Sequence, residues 1–477
     1  MRQILTMLFL FFFISGFSQT PSEKEIKTVA VNFYNYLTGQ NVRDDNIKKQ
    51  EKHVYKGVKT YVIVVFDNND WVAISTDKNI DPVLAFSEEN SYSDSINPNA
   101  KFWFELYDYY IYNAKQNKIY EEEDKNKDYP QLWKDLIAND LGKYMQKSLG
   151  NNIAPLITTK WGQSESNTGN DPYAYNYYAL AGKDNSGNTC NQTHALAGCP
   201  AVAAGQILRY WEYPMCSVFN WGNMPNALDA GNVNYFQYRN EIANLLRNLA
   251  DKMQEYMGNS HYYYGCNGSG TNSVEAILYP IKDNFYFNAA YIVIKNDYSL
   301  GDWEDLIYHE LSFSRPVLYT GFSSVGGHAF VCDGYKYLSD DYFHFNFGWN
   351  GAHDGYYKIT NPYGFTSYQK AIIHIIPNCE THLTIYQFYK DVPGFHSKFY
   401  HPEAGTIYSS PMPIVIANGD VVHYRAYDEI VLENFATEDG SEFTAEIVPC
   451  PMDCGIYTDY KQSSKSSDNL SDMELEE

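Results

Sequence analysis

A cysteine at the start of a predicted helix is the residue in this chain best suited to nucleophilic chemistry. Residues 195–211 read ALAGCPAVAAGQILRYW, in which Cys199 follows a glycine and precedes Pro200 and a run of small and apolar residues. Proline fits the first turn of a helix because the N–H that it lacks would have no intrahelical partner there. Free backbone N–H groups and the positive end of the helix dipole are expected to lower the pKa of the thiol and to favour the thiolate.

A histidine later in the chain is the candidate base for this thiol. His328 stands in SVGGHAFVCDGY, where two glycines allow another backbone to pass close by and the following apolar residues predict a strand. It follows Cys199 by about 130 residues, a separation typical of papain-like enzymes. Such a pair attacks a carbonyl carbon as a thiolate and then protonates the leaving amine.

Three further residues are predicted to complete the site. Asn346 and Trp349 lie in FHFNFGWNG, and Gln163 lies in TTKWGQSE, upstream of the cysteine. We expect Asn346 to orient His328 and Trp349 to shield the pair from water. The backbone N–H of Cys199 and the side-chain amide of Gln163 are the expected oxyanion donors.

Each of these residues also has a purely structural interpretation, and several other motifs fail. A cysteine after glycine is commonly a small buried hydrophobe, and the histidine in GHAF fits a packed core. The combination Gln, Cys, His, Asn, Trp in this order favours catalysis. HEL at 309–311 lacks the second histidine of a zinc site because Phe313 takes its place, and no cysteine spacing or phosphate-binding glycine pattern indicates a metal or cofactor. The remaining histidines singled out are interpreted as surface or packing residues: His194, His261, His309, His344 and His353.

The elements around the site predict an α+β chain of several units. Before residue 121 the pattern predicts a helix over 23–38, strands over 61–66, 71–75 and 83–86, and a helix over roughly 101–118. The charged stretch 121–128 is interpreted as a linker, because Tyr129 stands where a calcium loop needs glycine. A second unit contains the Cys199 helix, a helical pattern near 235–257 and β-rich sequence from RPVLYTGF to YYKIT. A third unit alternates polar and apolar residues and is predicted to be all β.

The net charge and the N-terminal sequence restrict which partners and which cellular location we expect. The formal net charge of −23, without clustered Lys and Arg, argues against a nucleic-acid partner. The start, MRQILTMLFLFFFISGFSQT, has the basic, apolar and small-residue regions of a secretory signal cut after Ser18. Its apolar part is too short to cross a bilayer, so we expect an exported protein without a membrane span.

The cysteine content is consistent with export, where disulfides persist. If Cys199 stays free for chemistry, an odd number of the eight cysteines remains, and these cannot all pair within the chain. The pattern leaves the connectivity open. The other cysteines are Cys190, Cys216, Cys266, Cys332, Cys379, Cys450 and Cys454.

Several stretches resemble the streptopain-type cysteine peptidases of family C10. They are LITTKWGQSE, AGCPAVAAGQILRYW, GGHAFVCDGY and FNFGWNGAHDGYYKI, and DWVAISTDKNIDPVLAFSEENSYSD is similar to that family's propeptide. The likeness covers roughly residues 20–376. It implies a papain-like fold made as a zymogen, whose prodomain blocks the cleft until proteolysis near residue 150. Carried over by position, it gives Cys199 as nucleophile, His328 as base, Gln163 as oxyanion donor, and Asn346 and Trp349 as supporting residues.

Two positions depart from the family pattern. Pro200 stands where a small or β-branched residue is common, which removes one N–H but not that of Cys199. Phe347 stands where a Trp is common beside the histidine. The loop CNGSGTNS at 266–273 resembles a segment that lines the specificity pocket, and the C-terminal VHYRAYDEIVLENFATEDGSEFTAEIVPC resembles small β modules of exported bacterial proteins.

The sequence therefore predicts an α+β protein that is a secreted cysteine endopeptidase acting on proteins or peptides and inhibited by its own prodomain. The expected boundaries are a signal peptide over 1–18, a prodomain over 19–150, a papain-like domain over 151–378, a β module over 379–460 and a disordered acidic tail over 461–477. Two alternatives stay open. One is another acyl-transfer enzyme on the same scaffold, and the other is an adhesin or haemagglutinin-like protein with a weak or inactive peptidase fold.

Overall fold

The structure is a computed structural model. It describes residues 19–447 except 90, 94–97, 118–127, 143, 145–148, 184–186, 190–193, 214–218, 257–261, 266–267, 272, 324–325, 339, 361–366, 378–381, 386–398, 401–402, 410–413, 417 and 434. The predicted signal peptide, the linker up to residue 127, the acidic tail and six of the eight cysteines lie outside the described residues. Cys199 and Cys332 are both free thiols.

The chain forms two compact units. Among the described residues, unit 1 comprises 19–67, 71–84 and 105–142, and unit 2 comprises 68–70, 85–104 and the residues from 144 onward. Unit 2 thus includes residues 85–93, which precede the predicted cleavage point near residue 150. We call residues 85–93 the inserted segment.

The N-terminal elements follow the apolar pattern of the sequence closely. Helix α1 begins at a capping box in which Ser22 and Glu25 bond reciprocally, and it ends at Gly39 in the left-handed conformation. Strands β1, β2 and β3 pair in sequence order as an antiparallel sheet. The elements are α1 (Glu23–Thr38), β1 (Ile47–Tyr55), β2 (Val58–Phe66), β3 (Trp71–Ser75), β4 (Val83–Ser87), α2 (Pro98–Asn117) and α3 (Tyr129–Ala138).

Helix α3 was not predicted, although its start carries two recognisable signals. The side chain of Asp128 accepts a hydrogen bond from the backbone N–H of Gln131, and Pro130 lies in the first turn. Tyr129, Trp133 and Leu136 are buried. The last residue of the stretch interpreted as a linker, Asp128, is thus the N-cap of a helix.

Unit 2 places helices against an antiparallel sheet. The helices are α4 (Cys199–Trp211), α5 (Tyr235–Glu255), α6 (Val274–Asp283) and α7 (Leu300–Ser312). The strands are β5 (Tyr262–Tyr263), β6 (Gly270–Thr271), β7 (Tyr291–Ile294), β8 (Val317–Ser323), β9 (Gly326–Tyr337), β10 (Asp341–Asn346), β11 (Gly355–Tyr357) and β12 (Ser367–Ile373). The sheet runs β11-β10-β9-β8-β12-β7, and each of these neighbouring pairs is antiparallel.

The hydrophobic core of unit 2 fixes the Cys199 helix on the sheet. Every residue of α4 from Pro200 to Leu208 is buried, and α4 packs against β9 and α5. Trp161, Leu246 and Val331 belong to the same buried cluster. A helix that is apolar on nearly all sides requires such enclosure, and the enclosure gives its first residue a fixed position.

The C-terminal strands form a separate small β region, as predicted. Strands β13 (His382–Ile385), β14 (Phe399–Tyr400), β15 (Glu403–Ser409), β16 (Ile414–Ile416), β17 (Val421–Val431), β18 (Phe435–Thr437) and β19 (Glu442–Ile447) pair in parallel. Ile416, Val422 and Tyr424 form its buried centre with Ile376. A Cys-bearing helix on an antiparallel sheet, with α+β elements before it and β strands after it, confirms the predicted fold class. Among the described helices, none combines the length and apolar character needed to cross a bilayer.

Candidate active site

Cys199 is the first residue of α4, and the backbone conformation of the residue before it requires glycine. Gly198 has a φ of 91°, and a Cβ atom there would lie 2.1 Å from the hydroxyl oxygen of Tyr262 and 2.8 Å from the carbonyl oxygen of Ser269. The Tyr262 hydroxyl donates to the carbonyl oxygen of Ala197. The loop before the thiol is therefore held by direct packing, which fixes where the sulfur points.

His328 is brought to the cysteine by strand β9. The backbone N–H of Ala329, the next residue, lies 3.4 Å from the Cys199 sulfur and donates to it. The His328 ring stacks on Trp349 at a centroid distance of 4.9 Å, and its Nε2 lies 2.9 Å from the carbonyl oxygen of Phe347. His328 is only 8% exposed. The structure thus brings together the predicted nucleophile, base and shielding tryptophan.

Asn346 has partners other than the predicted one. Its Oδ1 accepts from Gln206 Nε2 at 2.9 Å and from the backbone N–H of Gly348 at 3.0 Å, while its Nδ2 donates to the carbonyl oxygen of Thr159 at 2.7 Å. These contacts join Asn346 to the Cys199 helix and to the loop that precedes Trp161, and a backbone carbonyl contacts the imidazole nitrogen. The orienting role of Asn346 therefore stays a prediction.

Gln206 is a residue that the sequence analysis missed. It is fully buried on α4, and its Oε1 accepts from the Thr159 hydroxyl at 3.0 Å and from the Trp161 N–H at 3.2 Å. A glutamine inside an otherwise apolar helix is the signal that would have found it, because a buried amide needs partners. Through Gln206 and Asn346, the nucleophile helix, the Gln163 loop and the Trp349 loop share one hydrogen-bond network.

Gln163 lies beside the cysteine loop. Its carbonyl oxygen accepts a hydrogen bond of 2.8 Å from the N–H of Ala197, two residues before the nucleophile. The side chain is partly exposed. The preceding Gly162 packs closely on Asn350, since a Cβ there would lie 1.9 Å from Asn350 Oδ1. The position is consistent with an oxyanion donor next to the Cys199 N–H.

Burial acts against both charged forms of the predicted pair. It raises the pKa of the Cys199 thiol to about 11, although hydrogen bonds from the backbone N–H groups of Ala329 and Cys199 oppose the rise. It lowers the pKa of His328 to about 4, against the opposing effect of the Phe347 carbonyl. Burial in the intact chain thus opposes both charges of the expected thiolate–imidazolium pair.

A second buried histidine lies on the neighbouring strand. His344 is 2% exposed, and its Nδ1 lies 2.6 Å from Asp333 Oδ1 while its Nε2 lies 3.5 Å from Glu89 Oε1. Burial opposes its charge, but the two carboxylates outweigh burial and raise the pKa of His344 to about 10. The interpretation of His344 as a surface or packing residue is corrected to a buried cation. Sequence alone gave no signal, because its partners lie on β9 and in the inserted segment.

The inserted segment contacts the loop after β10, which contains Phe347 and Asp354 and lies against His328. The Ser91 hydroxyl donates to the carbonyl oxygen of Asp354 at 2.7 Å, and Asp354 Oδ1 accepts from the Phe347 N–H at 2.9 Å. The carbonyl oxygen of the same Phe347 contacts His328 Nε2. Two short links therefore connect Ser91 to the residue that contacts the imidazole.

Comparison with known families gives two matches. Residues 215–357 match the model of the Peptidase C10 family, and residues 18–111 match the model of the Spi protease inhibitor. The first match contains His328, Asn346 and Trp349, and it begins after Cys199. These matches confirm the resemblance predicted from the motifs.

Two curated proteins and one solved structure show the extent of the likeness. Streptopain of Streptococcus pyogenes is 31% identical over 215 residues, which are 39% of this chain and 53% of that protein. The chain thus spans about half the length of the streptopains it matches. Thiol protease/hemagglutinin PrtT of Porphyromonas gingivalis is 29% identical over 218 residues, which are 38% of this chain and 24% of that protein. A fragment of Prevotella intermedia prointerpain A has a TM-score of 0.49 and 24% identity, and the match covers 68% of this chain and 98% of the fragment.

Proposed function

We propose that this chain, which resembles streptopain-type C10 peptidases in both its N-terminal and its central region, is an exported cysteine endopeptidase made as a zymogen. The observation that carries the proposal is the meeting of Cys199, at the start of α4, with the first residues of β9. The sulfur accepts a hydrogen bond from the residue that follows His328, and Trp349 covers the imidazole. Nucleophile and base from two different elements are the arrangement that acyl transfer through a thiol requires.

The chemistry follows from these positions. The thiol proton moves to the imidazole of His328, and the Cys199 sulfur forms a bond to the carbonyl carbon of the substrate. The resulting oxyanion accepts hydrogen bonds from the Cys199 N–H and the Gln163 amide. Collapse of this intermediate breaks the C–N bond, and His328 gives its proton to the leaving amine. Water then attacks the thioester with His328 as base, which releases the acid and restores the thiol.

The opposition of burial to both charges in the intact chain fits latency. Moving one proton from thiol to imidazole creates two charges of opposite sign that stabilise each other, while burial disfavours each charge alone. We infer that the pair ionises in the processed enzyme and stays neutral in the zymogen. The match of residues 18–111 to an inhibitor family supports the assignment of the N-terminal region as the inhibitor.

The decisive experiment is mass spectrometry of the purified protein before and after maturation, with and without a thiol-directed epoxide. We expect one adduct on Cys199, a new N-terminus near residue 150, and casein cleavage that is absent in Cys199→Ala. Product analysis distinguishes hydrolysis from transfer to another amine. A folded, processed chain whose Cys199 takes no label and which leaves casein intact would contradict the proposal.

A binding function is the second candidate. The C-terminal β region has its own buried centre, and one relative is named a hemagglutinin as well as a thiol protease. In that case the processed protein would agglutinate erythrocytes, and Cys199→Ala would agglutinate equally well. Agglutination without epoxide labelling would favour the adhesin over the peptidase.

A further inference from the structure

The inserted segment pairs with the sheet of unit 2 along strand β11. Ala85 and Phe86 extend the sheet by pairing with Tyr357 and Tyr356 of β11. The Phe86 ring stacks on Tyr356 at 4.9 Å with an interplanar angle of 9°, and it meets the edge of Tyr342 at 5.4 Å. The two tyrosines are fully buried. The segment is thus bound as an added strand whose aromatic residue has its own partners.

The residues after Phe86 are matched by cations. Glu88 forms an ion pair with Lys336, which is 8% exposed. Glu89 lies 3.5 Å from His344 and 3.9 Å from Lys160, and the ammonium of Lys160 also donates to the Glu89 carbonyl oxygen at 3.1 Å. We call Lys160, Lys336, Tyr342, His344 and Tyr356 the basic–aromatic seat.

The seat is a single surface because of strand register. Lys336 pairs with Tyr342 across β9 and β10, and His344 pairs with Tyr356 across β10 and β11. The Lys336 ammonium lies 5.3 Å from the centroid of the Tyr356 ring. Aromatic and cationic groups therefore lie side by side, spaced for one extended peptide.

Cleavage near residue 150 would separate the inserted segment from the seat. The two tyrosine rings, three cationic groups and the edge of β11 would then lose the partners that the inserted segment supplies. His344 would keep Asp333, and Tyr356 would keep its contacts with His344 and Lys336. An unpaired strand edge beside cationic groups favours binding of another extended segment with acidic side chains.

We propose that the basic–aromatic seat is an exosite of the processed enzyme, which binds an extended acidic segment of a substrate protein. The segment has an aromatic residue followed two and three positions later by carboxylates, as in Phe86, Glu88 and Glu89. It adds to β11 as a strand, with its aromatic ring on Tyr342 and Tyr356. This inference rests on the proposed zymogen function, because the seat becomes free only when the inserted segment leaves.

The test is binding of a fluorescent peptide, VLAFSEENSY, to processed protein whose thiol has been blocked with an epoxide. Blocking prevents cleavage of the probe, and the adduct itself reports the peptidase site separately. If processing does not occur, the processed protein is replaced by full-length Cys199→Ala that also carries Phe86→Ala and Glu89→Gln. These two substitutions weaken binding of the inserted segment to the seat, so that the added peptide can compete with it. Fluorescence anisotropy gives the dissociation constant in either case.

We expect Lys336→Glu to weaken peptide binding about tenfold or more, and a peptide carrying Glu88→Lys to restore most of that loss. A peptide carrying Phe86→Ala should also bind about tenfold more weakly. Lys370→Glu is the matched control, since Lys370 lies on β12 and pairs with Glu275, and it should leave binding unchanged.

Three results would overturn the exosite. The first is equal binding of VLAFSEENSY and of a peptide with the same residues in scrambled order. The second is a loss of binding in Lys370→Glu as large as in Lys336→Glu. The third is a processed protein that keeps its N-terminal fragment in native mass spectrometry and excludes the probe. An epoxide adduct on Cys199 together with any of these would refute the exosite while leaving the peptidase proposal intact. If the wild-type protein takes no adduct on Cys199 while the full-length variant binds the peptide specifically, the peptidase proposal would be refuted and peptide binding by the seat would stand.

Discussion

Two histidines on neighbouring strands of one sheet are buried to almost the same degree and have opposite charge states. His328, on β9, is 8% exposed and has a pKa lowered to about 4, whereas His344, on β10, is 2% exposed and has a pKa raised to about 10. The difference lies in their partners. A carbonyl oxygen contacts the ring of His328, while the carboxylates of Asp333 and Glu89 flank His344.

This contrast distinguishes a structural cation, His344, from the proposed base, His328. A full negative charge at hydrogen-bond distance outweighs the desolvation of an imidazolium, and a carbonyl dipole does not. The raised pKa of His344 favours its protonated form near neutral pH, which suits a residue that joins strands. The ring of His328 contacts the Phe347 carbonyl, and the thiolate formed by proton transfer from Cys199 would add a negative charge that stabilises its imidazolium.

The largest expected effect comes from removing the reactive histidine. His328→Ala should lower kcat/KM of the processed enzyme about 10³-fold or more, because the thiol loses its base. The free energy of unfolding should change far less than the activity. Peptide hydrolysis and urea unfolding measure the two quantities, with His309→Ala on the exposed side of α7 as the control. Equal activity in both variants would remove His328 from the mechanism.

Removing the carboxylate from the other histidine should instead destabilise the fold. Asp333 is fully buried, its Oδ1 binds His344, and its Oδ2 accepts from the Ile157 N–H at 2.9 Å. Asp333→Asn should cost about 3–5 kcal/mol of unfolding free energy, the typical loss when one partner of a buried ion pair is removed. Asp251→Asn, which breaks a surface pair with Arg247, should cost about 1 kcal/mol or less. Equal losses in denaturant unfolding would show that the buried pair has no special weight.

Reactivity of the cysteine tests the neutral pair in the intact chain. Burial raises the pKa of Cys199 to about 11, so below that value the thiolate fraction should rise about tenfold per pH unit. The rate of iodoacetamide labelling of Cys199 in the full-length protein should follow that slope between pH 7 and 10. The processed enzyme should instead label rapidly near neutral pH. A flat profile in the full-length chain would mean that the ion pair already exists there.

The smallest effects are opposite pH dependences of stability. The lowered pKa of His328 means that the unfolded chain binds a proton between about pH 6.5 and 4 and the folded chain does not, so acidification should destabilise the wild type relative to His328→Gln. The raised pKa of His344 gives a contribution that is complete below about pH 6.5 and is lost as the pH rises to about 10.

Urea unfolding at several pH values measures both slopes. Each is at most about 1.4 kcal/mol per pH unit for one proton. The stability advantage of the wild type over Asp333→Asn should shrink toward pH 10. Parallel curves for wild type and His328→Gln between pH 4 and 6.5 would contradict the lowered pKa of His328.

The sequence was sufficient for features that local patterns encode. The capping box of α1, the strand Trp71–Ser75 and the helix that begins at Cys199 follow from apolar periodicity and end signals. The fold class followed from the order of those elements.

Features that depend on which strands become neighbours were not predictable in this way. Asp333 and His344 contact each other only because β9 pairs with β10 in one register. The partners of Asn346 depend on Gln206, 140 residues away along the chain. Desolvation of the Cys199 thiol, which raises its pKa, opposes the lowering that the helix N-terminus alone indicates, and it depends on the elements packed around α4.

The stack of Trp349 on His328 gives this protein an internal optical sensor. The indole lies face to face with the imidazole at 4.9 Å. An imidazolium withdraws electron density from an excited indole and quenches its emission, whereas a neutral imidazole does so weakly. The difference in fluorescence between the wild type and Trp349→Phe should therefore report the proton on His328. The proposed transition from zymogen to active enzyme should then be measurable in real time, without substrate and without a label.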